Sequence, residues 1–171
     1  MGKFANPRKD RFLKTRPRSS VETSDIAARC KFNLSFFDAS QEAGQDFADW
    51  NNVEGLHSLA TLMEKIKEYT KEPLSYWRNN RSGSGGLKIL SYYDSFPKDS
   101  DFIHPAHVPH DAIWARFRLG NKVRLIGFVV PEVLVSEDAA KRKAEQIGLD
   151  ANTFYVVFLD KDHRFYKSES R

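Results

Sequence analysis

Cysteine occurs once in 171 residues, at position 30, so the chain cannot close a disulfide within itself and a reducing compartment is the expected setting. Cys30 opens an apolar–polar alternation, where a small buried residue is a better reading than a catalytic thiol. No run approaches the roughly 20 apolar residues that span a bilayer, and the charged N-terminus is not followed by the apolar stretch of a secretory signal. The expectation is a cytoplasmic protein without a membrane partner. Also missing are the Gly-x-Ser-x-Gly elbow, the His-Glu-x-x-His helix, the EF-hand loop and both glycine-rich phosphate-binding patterns. No cofactor is therefore expected.

What is present is aromatic side chains and unevenly placed charge. Phe, Tyr and Trp make up 13% of the chain, on the rich side, so the core is ring-heavy or some rings serve a binding face. The net charge of +4 is concentrated at one end: residues 1–20 carry seven bases and one acid, and the remainder carries 20 bases against 22 acids. Residues 1–24 thus read as a basic, disordered arm whose Arg8, Lys9, Arg11, Lys14, Arg16 and Arg18 would meet nucleic acid or an acidic partner. A solvated tail is the alternative. Residues 25–171 are long enough for one core and short for two, which makes them a single α+β domain.

Within that domain, Cys30 to Phe36 alternates as a strand with one wet face, and Ser40 is a candidate cap for a short helix over Gln41–Trp50. Leu56, Leu59, Met63, Ile66 and Tyr69 form an apolar stripe over Gly55–Thr70 that would pack on a sheet, and one further turn over Leu74–Asn79 follows Pro73. Arg78 to Gly86 reads as a flexible polar loop bearing Arg78 and Arg81, and Leu87–Tyr93 as a strand. After a proline-bearing irregular segment from Asp94 to His110, Ile113–Leu119 and Lys122–Val130 flank a Gly120-Asn121 turn, a hairpin signal. Val133–Ile147 predicts a helix capped by Ser136, and Thr153–Leu159 with His163–Lys167 a second hairpin around Asp160-Lys161-Asp162. Helices early and strands late imply an antiparallel sheet of about five to six strands with helices on one face.

The period of the first hairpin places Trp114, Arg116 and Arg118 on one face, with Arg124, Ile126 and Phe128 of the next strand on one face likewise. With helices on the other side, this stripe would face outward. Guanidiniums beside an indole suit phosphate contacts with base stacking; a charged outer sheet face is the plain alternative. His104, His107 and His110 stand three apart before the hairpin. They are candidates for a metal-ligand set, for a loop bringing His107 or His110 to the arginines, or for hydrogen-bonded loop histidines.

The run from Trp114 to Phe128, with its tight turn into Arg124-Leu125-Ile126, resembles the hairpin of the RelE/HigB/ParE superfamily of small toxins, as does the order strand, two helices, then strands. Phe154–Phe158 and His163–Tyr166 are similar to that family's closing strands. The chain departs from it in size, in the arm, in the Asp94–His110 loop and in the Val133–Ile147 segment. The resemblance implies a metal-independent endoribonuclease acting on RNA, ribosome-associated in some members, held in check by a protein antitoxin; other members act on gyrase. It assigns Arg116, Arg118 and Arg124 as phosphate clamps and His163 or Tyr166 as base or acid. Trp114, Lys122, His107, His110, Arg78 and Arg81 would then contact substrate. Two alternatives stay open: a non-catalytic binding module using the arm and the Arg–Trp face, and a metal-dependent enzyme built on the three-histidine loop.

Overall fold

The Gly120-Asn121 turn lies at the centre of the structure. In a computed structural model describing residues 6–15, 20–51, 54–55, 58–83, 86–141 and 148–167, β5 (Ile113–Arg118) and β6 (Arg124–Val129) pair antiparallel in full register. β6 also pairs with β7 (Thr153–Asp160), and β5 with β4 (Leu90–Tyr92). The other edge is β1 (Lys31–Asn33), which runs parallel to β7, giving the order β1-β7-β6-β5-β4. The five-stranded sheet is therefore mixed, which corrects the fully antiparallel expectation. β1 lies at one edge, the chain passes through helices, and it returns as a four-strand meander whose last strand comes back beside β1 pointing the same way.

Between the edge strands lie α2 (Phe47–Asn51), α3 (Leu59–Tyr69) and α4 (Leu74–Asn79). α3 starts where Ser58 accepts the Thr61 N–H at 3.2 Å, a side-chain N-cap. Leu62, rather than Met63, is its buried central residue; Met63 is exposed, so the apolar stripe is rotated from the one the spacing predicts, and Leu56 lies outside the described residues. Trp50, Leu62, Tyr69, Leu74 and Trp77 pack on Leu90, Ala115, Phe117, Leu125 and Phe154, so these helices share one face of the sheet.

Several expected elements are shorter or different. The helix expected from Gln41 begins only at Phe47, because Asp38 and Gln41 are engaged with the loops: Ser40 bonds Asp38, and Gln41 exchanges bonds with Ile103. The strand expected over Leu87–Tyr93 divides into β3 (Leu87–Lys88), paired with β2 (Arg81–Ser82), and β4. The loop expected over Arg78–Gly86 thus holds a small ribbon, and Gly83 and Gly86 take positive φ at its turn. α5 (Glu132–Lys141) starts directly after Pro131, and Ser136 lies inside it, donating to the Val133 carbonyl instead of capping; residues 142–147 lie outside the described residues. Part of the arm is helical: α1 (Pro7–Thr15) starts at Asn6, whose side chain accepts the N–H groups of Arg8 and Lys9, both at 3.2 Å.

The second hairpin does not form. After β7 the chain turns over Asp160–Phe165, because Asp160 binds the turn with its carboxylate where a partner strand would need the backbone donors. This turn and the Asp94–His110 segment cover the sheet face opposite the helices. Phe102, Val108, Ala112 and Phe165 pack there on Trp114, Ile126, Phe128 and Phe158. Trp114 is accordingly 1% exposed, which corrects its placement on an open face. Edge and stacked contacts with Phe96, His104, Phe158 and Phe165 occupy its ring, and no surface remains for a base.

Candidate phosphate-binding site

The covering of that face is incomplete at one end, and there the arginines collect. Alternation on β5 turns Arg116 and Arg118 to the face of Trp114, and the register sets Arg118 opposite Arg124 and Arg124 opposite Asp160. Arg116 and Arg118 are half-buried, while Arg124 is only 3% exposed. Arg124 Nη1 donates to the carbonyls of Gly120 and Val123, at 3.0 and 2.9 Å, and Arg118 Nη1 to that of Asn121 at 3.1 Å. Carbonyls fix the geometry of these side chains but do not cancel their charge. Among the described residues no carboxylate lies within ion-pair distance of any of the three, and Arg116 Nη1, Arg118 Nε and Arg124 Nε are buried without a protein acceptor. Burial, with Arg116 and Arg118 adding to it, lowers the Arg124 pKa to about 10.

Asp160 is the nearest acid, and its oxygens are engaged elsewhere. Oδ1 accepts the N–H groups of Asp162 and Arg164, at 3.2 and 3.0 Å, and Oδ2 that of Phe165 at 3.0 Å. The turn so held puts His163 in the left-handed region, φ 63°, with its imidazole within electrostatic reach of the arginines. Arg164 and Lys167 both pair with Asp101 and tie the turn to the covering loop. Burial first, then Arg124, Arg116 and Arg118, lower the His163 pKa below its ordinary 6.5, against an opposing pull from Asp160. A neutral imidazole at pH 7 is the form that accepts a proton.

Tyr93 and Tyr166 complete the cluster. Tyr93 follows β4, and its N–H meets the Trp114 carbonyl at 2.7 Å, which brings its side chain to the arginine face. Its hydroxyl accepts from Arg116 Nε at 3.0 Å, and its ring stacks on that of Tyr166 with centroids 5.2 Å apart and planes at 16°. Tyr166 itself is 47% exposed. Sequence reading gave Tyr93 no role, because a tyrosine ending a strand has no mark of its own; only the pairing with β5 sets it beside Arg116. Asp160 was legible as a turn former, and the backbone bonds bear that out, but its effect on His163 was not.

The structure thus brings together Arg116, Arg118, Arg124, His163 and Tyr166. It does not bring the other candidates to them. Arg78 lies over the Tyr92 ring at 4.6 Å, and Tyr92 packs with the helix-side core, the opposite face. Arg81 donates to the Gly86 carbonyl within the small ribbon. Lys122 is exposed on the β5–β6 turn. His107 stacks on Phe36 and donates to its carbonyl at 3.1 Å, His104 donates to the Pro105 carbonyl at 3.0 Å, and His110 is exposed. Two of the three histidines are thus engaged in local hydrogen bonds, and among the described residues no group of three His, Cys, Asp or Glu side chains is placed to hold a metal ion. Cys30 is buried and its thiol pKa is pushed up to about 12, which leaves it protonated and unreactive. Arg8, Lys9, Arg11 and Lys14 are exposed on α1, and Arg16 and Arg18 lie outside the described residues. Among those residues no helix is long and apolar enough to cross a membrane.

No protein-family model, curated protein or solved structure matches the chain.

Proposed function

We propose that this chain binds RNA and cleaves it as a metal-independent endoribonuclease of the toxin–antitoxin kind. The observation that carries the reading is the set of three arginines, Arg116 and Arg118 half-buried and Arg124 buried, with no carboxylate among the described residues within ion-pair distance, near an imidazole whose pKa is lowered toward the proton-accepting form. Placing ions out of water costs several kcal/mol each unless an opposite charge repays it. A phosphodiester supplies that charge, and its non-bridging oxygens match guanidinium donors. In this reading the half-buried Arg116 and Arg118 hold the scissile phosphate, buried Arg124 adds positive potential, and together they stabilise the charge that grows during in-line attack by the neighbouring 2′-hydroxyl. His163 takes the proton of that hydroxyl.

The test is incubation of purified protein with RNA and the matching DNA oligonucleotide, with and without EDTA and with and without ribosomes. RNA cut to 2′,3′-cyclic phosphate ends in EDTA, with the DNA intact and Arg116→Ala inactive, is the expected result. Induction in a bacterial host should arrest growth, and Arg116→Ala should relieve the arrest at equal protein level. Intact RNA under every condition would remove the reading.

A second reading rests on α1, where Arg8, Lys9, Arg11 and Lys14 are all exposed on one nine-residue helix. A binding module would use them as a sequence-independent phosphate contact. RNA affinity that falls steeply with salt, less so when these four are replaced by Ala, with no cleavage, would favour it over the nuclease.

A further inference from the structure

The oxygen of Tyr93 is fixed from two sides. Its ring is held between Tyr166, stacked at 5.2 Å, and Phe165, at 6.0 Å, and its hydroxyl oxygen accepts the Arg116 Nε–H at 3.0 Å. That bond uses the oxygen as acceptor and leaves the hydroxyl's own proton to donate. Among the described residues nothing accepts it: the charged groups that act on Tyr93 are Arg116 and Arg124, both cations, and the remaining neighbour is the Tyr166 phenol. A phenol donor beside the Arg116 and Arg124 guanidiniums suits an oxygen of a bound anion, which would displace the water it otherwise meets.

Resting on the ribonuclease reading, we propose that Tyr93 is the catalytic acid of the site, delivering its phenolic proton to the departing 5′-oxygen. His163 removes the 2′-hydroxyl proton, the 2′-oxygen forms its bond to phosphorus, and the P–O5′ bond breaks. The 5′-oxygen takes the proton of Tyr93, and the products are a 2′,3′-cyclic phosphate and a 5′-hydroxyl. The phenolate stands beside Arg116 and Arg124 until the proton held on His163 returns to it through solvent, so no co-reactant is consumed. Burial keeps the phenol protonated before reaction, and the two arginines favour the anion after it.

The experiment uses two versions of one RNA oligonucleotide at the mapped cleavage position. One has the natural 5′-oxygen; the other has a bridging 5′-sulfur, whose thiolate leaves without a proton. Tyr93→Phe keeps the ring and its stacking. It should lower kcat on the oxygen substrate by about 100-fold, the usual worth of a general acid, with KM nearly unchanged, and cleave the sulfur substrate at the wild-type rate. Equal loss on both substrates would assign Tyr93 to positioning Arg116 and overturn the acid role. No loss on either would remove Tyr93 from the reaction. Wild-type protein that cuts neither substrate removes the ribonuclease reading itself, and the role of Tyr93 with it.

Discussion

Arg118 and Arg124 face each other directly across the β5–β6 ladder, two like charges in register, and among the described residues neither has a carboxylate within ion-pair distance. Like charges directly opposite weaken a sheet, so this pair is kept against stability. Arg118→Met should therefore raise the unfolding free energy by about 1 kcal/mol, near 3 °C in Tm for a chain of this size, while abolishing RNA cleavage. Thermal melts with and without inorganic phosphate check it: phosphate should raise the wild-type Tm more than that of the variant. A variant less stable than wild type would show that the arginine carbonyl contacts outweigh the repulsion.

The imidazole of His163 gives a pH signature. Its folded pKa lies below the unfolded value near 6.5, so the unfolded chain takes up its proton first as pH falls. The contribution to stability is present above pH 6.5 and is lost as pH drops through the folded pKa. His163→Asn should flatten that part of the stability curve, measured by urea unfolding between pH 7.5 and 5. Catalysis should fall over a range displaced below 6.5, and NMR titration of the imidazole should give the same midpoint.

Asp160 should matter beyond its own hydrogen bonds. Asp160→Ala strands the N–H groups of Asp162, Arg164 and Phe165, of which Phe165 is buried, at a cost of about 3 kcal/mol. Denaturant unfolding measures this loss. The variant should also lose kcat more than RNA affinity, since it releases His163 and leaves the arginine clamp in place.

Gly127 is set by contact. At the irregularity between Ile126 and Gly127, a Cβ would lie 2.1 Å from the Tyr155 carbonyl oxygen and 2.7 Å from Phe154 Cε1. The backbone of a central strand cannot yield, so Gly127→Ala should cost about 3 kcal/mol. An equilibrium unfolding curve unchanged by the substitution would show that the strand adjusts there.

The two central strands were legible because apolar alternation and a Gly-Asn turn specify a hairpin from local chemistry. The same period placed Arg116, Arg118 and Arg124 correctly on their strands. His163 and Tyr166 were legible as candidates but were assigned to a strand, and the structure instead has a turn held by a buried carboxylate. Alternation carries no information about what covers a face. Trp114 was therefore read as an open platform, although Phe102, Val108 and Phe165 cover it from distant loops. Nor does a local pattern tell whether β1 meets β7 parallel or antiparallel, since that depends on where the chain returns after its helices.

By itself the sequence determined the basic composition of residues 1–20, the single cysteine, the α+β class and the faces of the central strands, all consequences of composition or of neighbours in the chain. Only the tertiary structure decided that Tyr93, 23 residues before Arg116, shares a hydrogen bond with it, and that the turn Asp160 holds sets His163 within electrostatic reach of the same arginines. Those relations depend on strand register and on buried carboxylate bonds, which are set by the whole packed sheet.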